Sequence, residues 1–152
     1  MTNFGEISRL VAILLFNSKG ELFLQLRSKE KRVYPNTWTA SASGKVDHNE
    51  SYEQAAKREL KEELDIEASV EPIFTLLTEV PPLDHKPAPG AWQIFKATHD
   101  GAINIKDDEI QDGKFFPIAR LKDMMETIPE KFSPAFAKIF KKYIETIEET
   151  NS

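Results

Sequence analysis

The sequence predicts a single α+β domain. Three observations carry that prediction. Short segments rich in Val, Ile and Leu, or alternating apolar with polar, suit strands; a capped helix stands mid-chain and an amphipathic one near the end; and no linker, repeat or break in composition interrupts the 152 residues. That length is enough to bury a real core, so the whole of 1–152 is assigned to one domain.

Residues 9–16 read as a strand rich in Val, Ile and Leu. Asn17-Ser18-Lys19-Gly20 supplies a turn, and 21–27 then alternates Leu22, Leu24 and Leu26 on one face, so the two segments are expected to pair as a hairpin. Residues 28–36 are a polar loop ending in Pro35-Asn36, followed by a short strand around 38–42 and another loop over 44–49. The best helix covers 51–64, where Ser51 can cap the first turn and Gln54 can complete a capping box. Residues 67–80 look extended, and Pro81, Pro82, Pro87, Pro89 and Gly90 mark a long turn-rich loop. A second hairpin is expected from 91–98 and 102–105 through His99-Asp100-Gly101. A strand near 113–117 leads into a short helix over 118–127. The last helix takes Ser133 as cap and Pro134 as first residue and runs to about Glu148, with Phe136, Ile139, Phe140, Tyr143 and Ile147 on one stripe. Residues 148–152 are expected to fray.

Composition narrows the function. The formal net charge of −5 lacks the broad positive field that phosphate backbones require, so a nucleic acid polymer is not the expected partner. The longest apolar run, residues 11–16, is too short to span a bilayer, and no basic start with a long apolar region precedes it, so neither membrane insertion nor a secretory leader is expected. There is no cysteine, which removes disulfides, thiolate metal sites and cysteine catalysis, and suits a cytoplasmic location.

The informative stretch runs from Gly44 to Ile66. On a helix Glu59, Glu62 and Glu63 stand at i, i+3 and i+4, which places three carboxylates on one face, with Leu60 and Leu64 on a neighbouring face that can anchor the helix. Like charges so spaced cost roughly 0.2–0.5 kcal/mol per pair. A hard divalent cation reverses that penalty, because Mg²⁺ prefers oxygen ligands and is commonly held by a few carboxylates and substrate phosphates. The bland alternative is a solvated helix face laced with ion pairs such as Arg58–Glu62.

The residues upstream tip that balance. The Nudix family carries a box of Gly, five residues, Glu, seven residues, then Arg-Glu-aliphatic-any-Glu-Glu-any-Gly-aliphatic. This sequence resembles it in register at Gly44, Glu50, Arg58, Glu59, Leu60, Glu62, Glu63 and Ile66, eight of the nine specified positions. The box spans about 44–66, and the order of flanking segments is similar to the family's α/β/α sandwich around a mixed sheet. The resemblance implies a metal-dependent hydrolase that cleaves a diphosphate linkage. Glu59, Glu62 and Glu63 would bind Mg²⁺, with Mn²⁺ the alternative ion. Glu59 would double as general base, Arg58 would orient the glutamates, Glu50 would support the loop or a further metal, and Gly44 would offer its carbonyl. Such enzymes often recruit one more acid from a later loop, and Glu109, after Asp107 and Asp108, is the candidate. Asp65 departs from the pattern by standing where Gly is expected, at a cost near ~1 kcal/mol if that position needs positive φ.

For the substrate, a small diphosphate such as a nucleoside diphosphate derivative, the basic loop offers Arg27 as a bidentate donor, with Lys29, Lys31 and Arg32 as point charges; an ordinary solvated surface loop is the equal alternative. Trp38 and Trp92 could stack on a ring, although aromatics in strands more often fill core. His48, His85 and His99 show no metal-ligand spacing; only His85, in the Pro-rich loop, could border the substrate. The segment from Leu26 to Thr39 resembles the branch that includes isopentenyl diphosphate isomerases. Those enzymes depend on a cysteine just before the box, where this chain has Thr39-Ala40-Ser41-Ala42-Ser43-Gly44, so isomerase activity ranks second. A binding module that has lost catalysis ranks third, because all three glutamates are present. Dimers are common in similar proteins, which makes a homodimer an expectation by analogy.

Overall fold

Strand β1, Ser8–Phe16, is the spine of the molecule, and its residues 11–16 are at most 5% exposed. Such a run cannot have one solvated face, and it has none: it is covered on both sides, as a strand with parallel pairing usually is. The computed structural model describes residues 7–31, 34–79, 89–105 and 108–150. Along its whole length β1 pairs in parallel with β6 (Gly90–Thr98), from Ser8 opposite Gly90 to Phe16 opposite Thr98. Strand β5 (Glu71–Thr78) lies antiparallel on the far side of β6. On the other side of β1 come β2 (Leu22–Arg27), β3 (Trp38–Thr39), β4 (Ala42–Lys45) and β7 (Ile110–Phe116), so among the described residues the sheet is mixed and seven-stranded.

Strand alternation divides the core in two. Val11, Ile13, Leu15, Phe23, Ala42, Phe95 and Ala97 pack against Ala55, Ala56, Leu60 and Leu64 of helix α1, Tyr52–Leu64. On the opposite face Ala12, Leu14, Phe16, Leu22, Leu24 and Ile94 meet Leu121 and Met124 of α2 (Ile118–Thr127) and Phe136, Ile139 and Phe140 of α3 (Pro134–Thr150). This is the anticipated α/β/α sandwich. The caps read from sequence are present. Ser51 Oγ accepts from Gln54 N at 3.1 Å while Ser51 N donates to the Gln54 side chain at 2.8 Å, and Ser133 Oγ accepts from Phe136 N at 3.2 Å. No helix among the described residues is long and apolar enough to cross a membrane.

Three expectations are revised. The first hairpin pairs only at Leu15–Phe23 and Phe16–Leu22, because β4 takes the earlier part of β1. The Ser41 hydroxyl sits where the strands part, accepting from Leu15 N at 2.8 Å and donating to Phe23 O. That wedge also breaks the expected 38–42 strand into β3 and β4, so that 44–45, read as loop, is strand. No hairpin joins 91–98 to 102–105: both edges of β6 are occupied by β1 and β5, and 102–105 instead runs to the end of α1, where Asn104 N donates to Leu64 O at 3.1 Å.

Candidate active site

Helix α1 lies over β1 and β4 and turns two of its glutamates inward. Glu59 and Glu63 are 9% and 8% exposed, whereas the Glu62 side chain remains 58% exposed. The Glu63 carboxylate accepts from Gln25 Nε2 at 2.7 Å through Oε1 and from Ser43 N at 3.2 Å through Oε2. Burial holds its pKa far above the usual carboxylate range, and its hydrogen bond to Glu59 pushes the same way; the Gln25 contact opposes both. Two acids have thus been taken out of water side by side, which is costly without a compensating cation.

Arg58 supplies part of the compensation. Its Nε and Nη2 grip Glu50 at 2.7 and 2.8 Å, Nη1 reaches Glu59 at 2.6 Å and Glu62 at 3.3 Å, and Nη2 also donates to Lys45 O at 2.9 Å. Only a planar, five-donor guanidinium can serve these partners together. The hydrogen bonds from Arg58 hold the Glu50 carboxyl down at about 2, and they raise Arg58 in turn. Glu50 also accepts from Asp47 N at 3.0 Å, which ties the loop after β4 to the helix.

Gly44 has a steric reason to be glycine: a Cβ there would collide with the Glu59 carboxylate. At the other end Asp65 takes φ 57° and ψ 43°, so the left-handed conformation that the box glycine would favour is needed here. Its amide donates to Lys61 O, Ile66 N donates to Leu60 O, and its carboxylate pairs with Lys61 Nζ at 3.1 Å. The helix therefore closes with Asp in the glycine position.

The other candidates are not brought together in this way. Arg27 lies two residues along β2 from Gln25, half-buried, with Nε donating to Tyr34 O at 3.2 Å; burial lowers its pKa, opposed by the charge of Glu109. The loop behind it is held in an unusual shape, with Tyr34 and Asn36 both at positive φ. Lys29 is exposed on that loop, and Arg32, His85 and Asp107 lie outside the described residues. Glu109 does not join the helix glutamates; Lys31 Nζ holds it at 2.6 Å, and among the described residues no group of three or more His, Asp or Glu side chains is gathered as a metal cage. Trp38 pairs with Leu26 and packs in the cluster of α2 and α3, its ring 4.9 Å from that of Phe116. That puts it across the sheet from Glu59 and Glu63, as strand alternation dictates. Trp92 belongs to the same cluster, and its Nε1 donates to Thr78 Oγ1 at 2.9 Å. His48 is exposed, and the His99 ring contacts Ala102 O at 3.1 Å.

Sequence reasoning passes over Gln25, Ser41 and the amide of Ser43. A signal exists for the first: Phe23, Gln25 and Arg27 share period two on β2, so the strand carries polar groups on a face that also carries Phe23.

Comparison with known proteins gives the family to which this fold belongs. The NUDIX domain family matches residues 7–136. An uncharacterised Nudix hydrolase of Pseudomonas aeruginosa is 38% identical over 112 residues, 73% of this chain and 63% of that protein. An isopentenyl-diphosphate Δ-isomerase of Escherichia coli is 31% identical over 126 residues, 79% of this chain and 67% of the isomerase. Among solved structures, the MutT protein of Methanosarcina mazei superposes with a TM-score of 0.76 at 20% identity, covering 92% of this chain and 94% of that one. The chain belongs to the NUDIX domain family, and its class is that of the Nudix hydrolases, enzymes of the pyrophosphohydrolase type.

Proposed function

We propose that this chain hydrolyses a diphosphate linkage in a small organic molecule, a nucleoside diphosphate derivative or similar compound, with a divalent cation as cofactor. The observation that carries the reading is the pair of buried, adjacent carboxylates of Glu59 and Glu63 on one turn of α1. The donor set fits Mg²⁺ or Mn²⁺: hard oxygens, negative charge in excess, and no side chain on Gly44 to crowd Glu59. Glu59 and Glu63 would hold the ion, with Glu62 and the Gly44 carbonyl completing the protein's share and Glu109 a further candidate only after leaving Lys31. Once bound, such an ion supplies charge neutralisation for the diphosphate and lowers the pKa of attacking water.

The chain's own residues do the rest. Glu59 takes the proton from the attacking water as general base. Arg58 keeps Glu59 aimed for that task, and its contact engages Oε1 alone. Arg27, drawn partly out of water, binds a diphosphate oxygen more strongly than an exposed arginine would, and Lys29 and Arg32 add positive charge from the same stretch of chain. Trp38 has no part in this scheme.

The isomerase reading is weakened by the residues before the box. Ser41 is fully buried and its hydroxyl already both donates and accepts, so it has no proton to move to a substrate carbon. A screen for phosphomonoester and pyrophosphate products over nucleotide sugars, dinucleotides and (deoxy)nucleoside triphosphates, with and without Mg²⁺, tests the proposal and identifies the substrate. Glu59→Gln is expected to cut turnover by two to four orders of magnitude. The metal-free variant should melt no lower than the parent, because the amide introduced there can donate to Glu63 while its carbonyl still accepts from Arg58. Retained turnover in Glu59→Gln removes the mechanism; metal-independent release removes the cofactor; and binding without release would leave a diphosphate-binding module.

A further inference from the structure

We propose that Gln25 is a positioning residue for this reaction: its side-chain amide fixes Glu63 for metal binding, and the Ser41 carbonyl fixes Gln25. This rests on the metal-dependent reading given above and adds to it the device that orders one ligand before the ion arrives.

Gln25 is 6% exposed on β2, and its Nε2 donates at 2.7 Å to Glu63 Oε1 and at 3.2 Å to Ser41 O. The Ser41 carbonyl can only accept, so the amide nitrogen must face it, and the orientation of the side chain is determined by chemistry. Ser41 is anchored in turn, its hydroxyl bridging Leu15 N and Phe23 O at the fork between β1 and β2. A continuous chain of hydrogen bonds therefore runs from the rigid centre of the sheet through Ser41 and Gln25 to Glu63. Ser43 N holds the second carboxylate oxygen, so Glu63 is gripped from two sides. Glu62, its neighbour in sequence, has among the described residues only an Arg58 contact at 3.3 Å and is 58% exposed.

The choice of an amide has a reason. A lysine or arginine at this position would orient Glu63 equally well but would neutralise it and compete with the incoming cation. An apolar side chain would leave a buried carboxylate oxygen without a donor. Glutamine orients the ligand while leaving its negative charge for the metal. Outer-shell partners of this kind typically alter metal affinity by 10–100-fold.

Gln25→Met keeps the length of the side chain and removes both donors; Gln25→Leu is the second variant should methionine pack badly. Each is read where its melting temperature shows a folded protein. The probe is Mn²⁺ alone, followed by electron paramagnetic resonance of the free and bound ion. The expected result is a roughly 10–100-fold weaker Mn²⁺ affinity and a broadened or altered bound-ion spectrum in a variant that remains folded. Wild-type affinity and an unchanged spectrum in a folded variant overturn the proposal. A parent protein that binds no Mn²⁺ overturns the metal reading, and this proposal with it; the parent titration alone tells that failure from one specific to Gln25.

Discussion

The two faces of the sheet are built from the same strands and obey opposite rules. The face under α2 and α3 is closed and aromatic: Phe116, Phe132, Phe136 and Phe140 are all buried there, Phe132 and Phe140 lie 5.9 and 5.7 Å from Phe136, and Trp38 meets Phe116 edge-on. The face under α1 begins in the same way, with Ala55, Ala56, Leu60 and Leu64 in the core, but admits Glu59, Glu63 and Gln25 beside them. Apolar burial contributes stability at every contact it makes. A pair of carboxylates withdrawn from water does not, unless something arrives to match their charge. The difference teaches where the molecule has accepted a less stable arrangement, and such places tend to be sites.

The largest expected effect breaks the stable face. Phe136 is fully buried against Phe132 and Phe140. Phe136→Ala should cost about 3–5 kcal/mol by lost transfer energy and the cavity left behind. For a chain of this size that corresponds to a melting temperature lower by roughly 10 °C. Turnover per folded molecule at a permissive temperature should stay within a factor of about two, because the glutamates sit across the sheet. Denaturant titration and substrate hydrolysis on one preparation measure both. A parallel collapse of activity in fully folded protein would mean that the faces are not separable, contrary to the contrast with Glu59→Gln.

How much of this is legible in the sequence also differs by face. The apolar stripe of α3, the capping box of α1 and the shared face of Glu59 and Glu63 can be read directly, because helix period and cap chemistry are local; Gly44, Glu50 and Arg58 are picked out by the resemblance to the family's box. The partners of β6 cannot. Its pairing with β1 joins residues some eighty positions apart, and nothing nearby marks 102–105 as loop once a turn sequence precedes it. Trp38 reads as a stacking candidate because a lone aromatic carries no sign of its side; its register with Leu26 decides the matter. The same register that hides Trp38 exposes Gln25, and the second face of β2, read as carefully as its leucines, leads to it. Glu109 has only charge and position to recommend it in the sequence, and its ion pair with Lys31 depends on a loop conformation that charge does not determine.

A smaller effect sharpens the polar side of the comparison by pH. Arg58 holds Glu50 at about 2 against an ordinary value of 4.5. A carboxyl with a depressed folded-state pKa adds stability that is fully present above its unfolded pKa, and that stability is lost as pH falls through the folded value. The window is therefore about pH 4.5 down to 2. Glu50→Gln should melt lower than the parent near pH 6, and the two curves should converge as the pH approaches about 2. Melting temperatures of both proteins across that window and above it provide the check; a constant gap would show that the ion pair with Arg58 does not operate through ionisation.

The smallest effect concerns the end of α1, where the two faces no longer matter and the backbone alone decides. Asp65 sits at φ 57°, a region that costs a non-glycine residue about 1 kcal/mol. It recovers part of this through Lys61, but that pair is half in solvent and contributes little. The backbone bonds to Leu60 and Lys61 need no side chain, so glycine would keep them. Asp65→Gly should then stabilise by about 0.5 kcal/mol, a rise in melting temperature of roughly 1–2 °C, with metal affinity unchanged. A fall in stability would mean that Asp65 does more for the helix end than its ion pair with Lys61 accounts for, and a change in Mn²⁺ affinity would mean that the last turn of α1 transmits strain to Glu63.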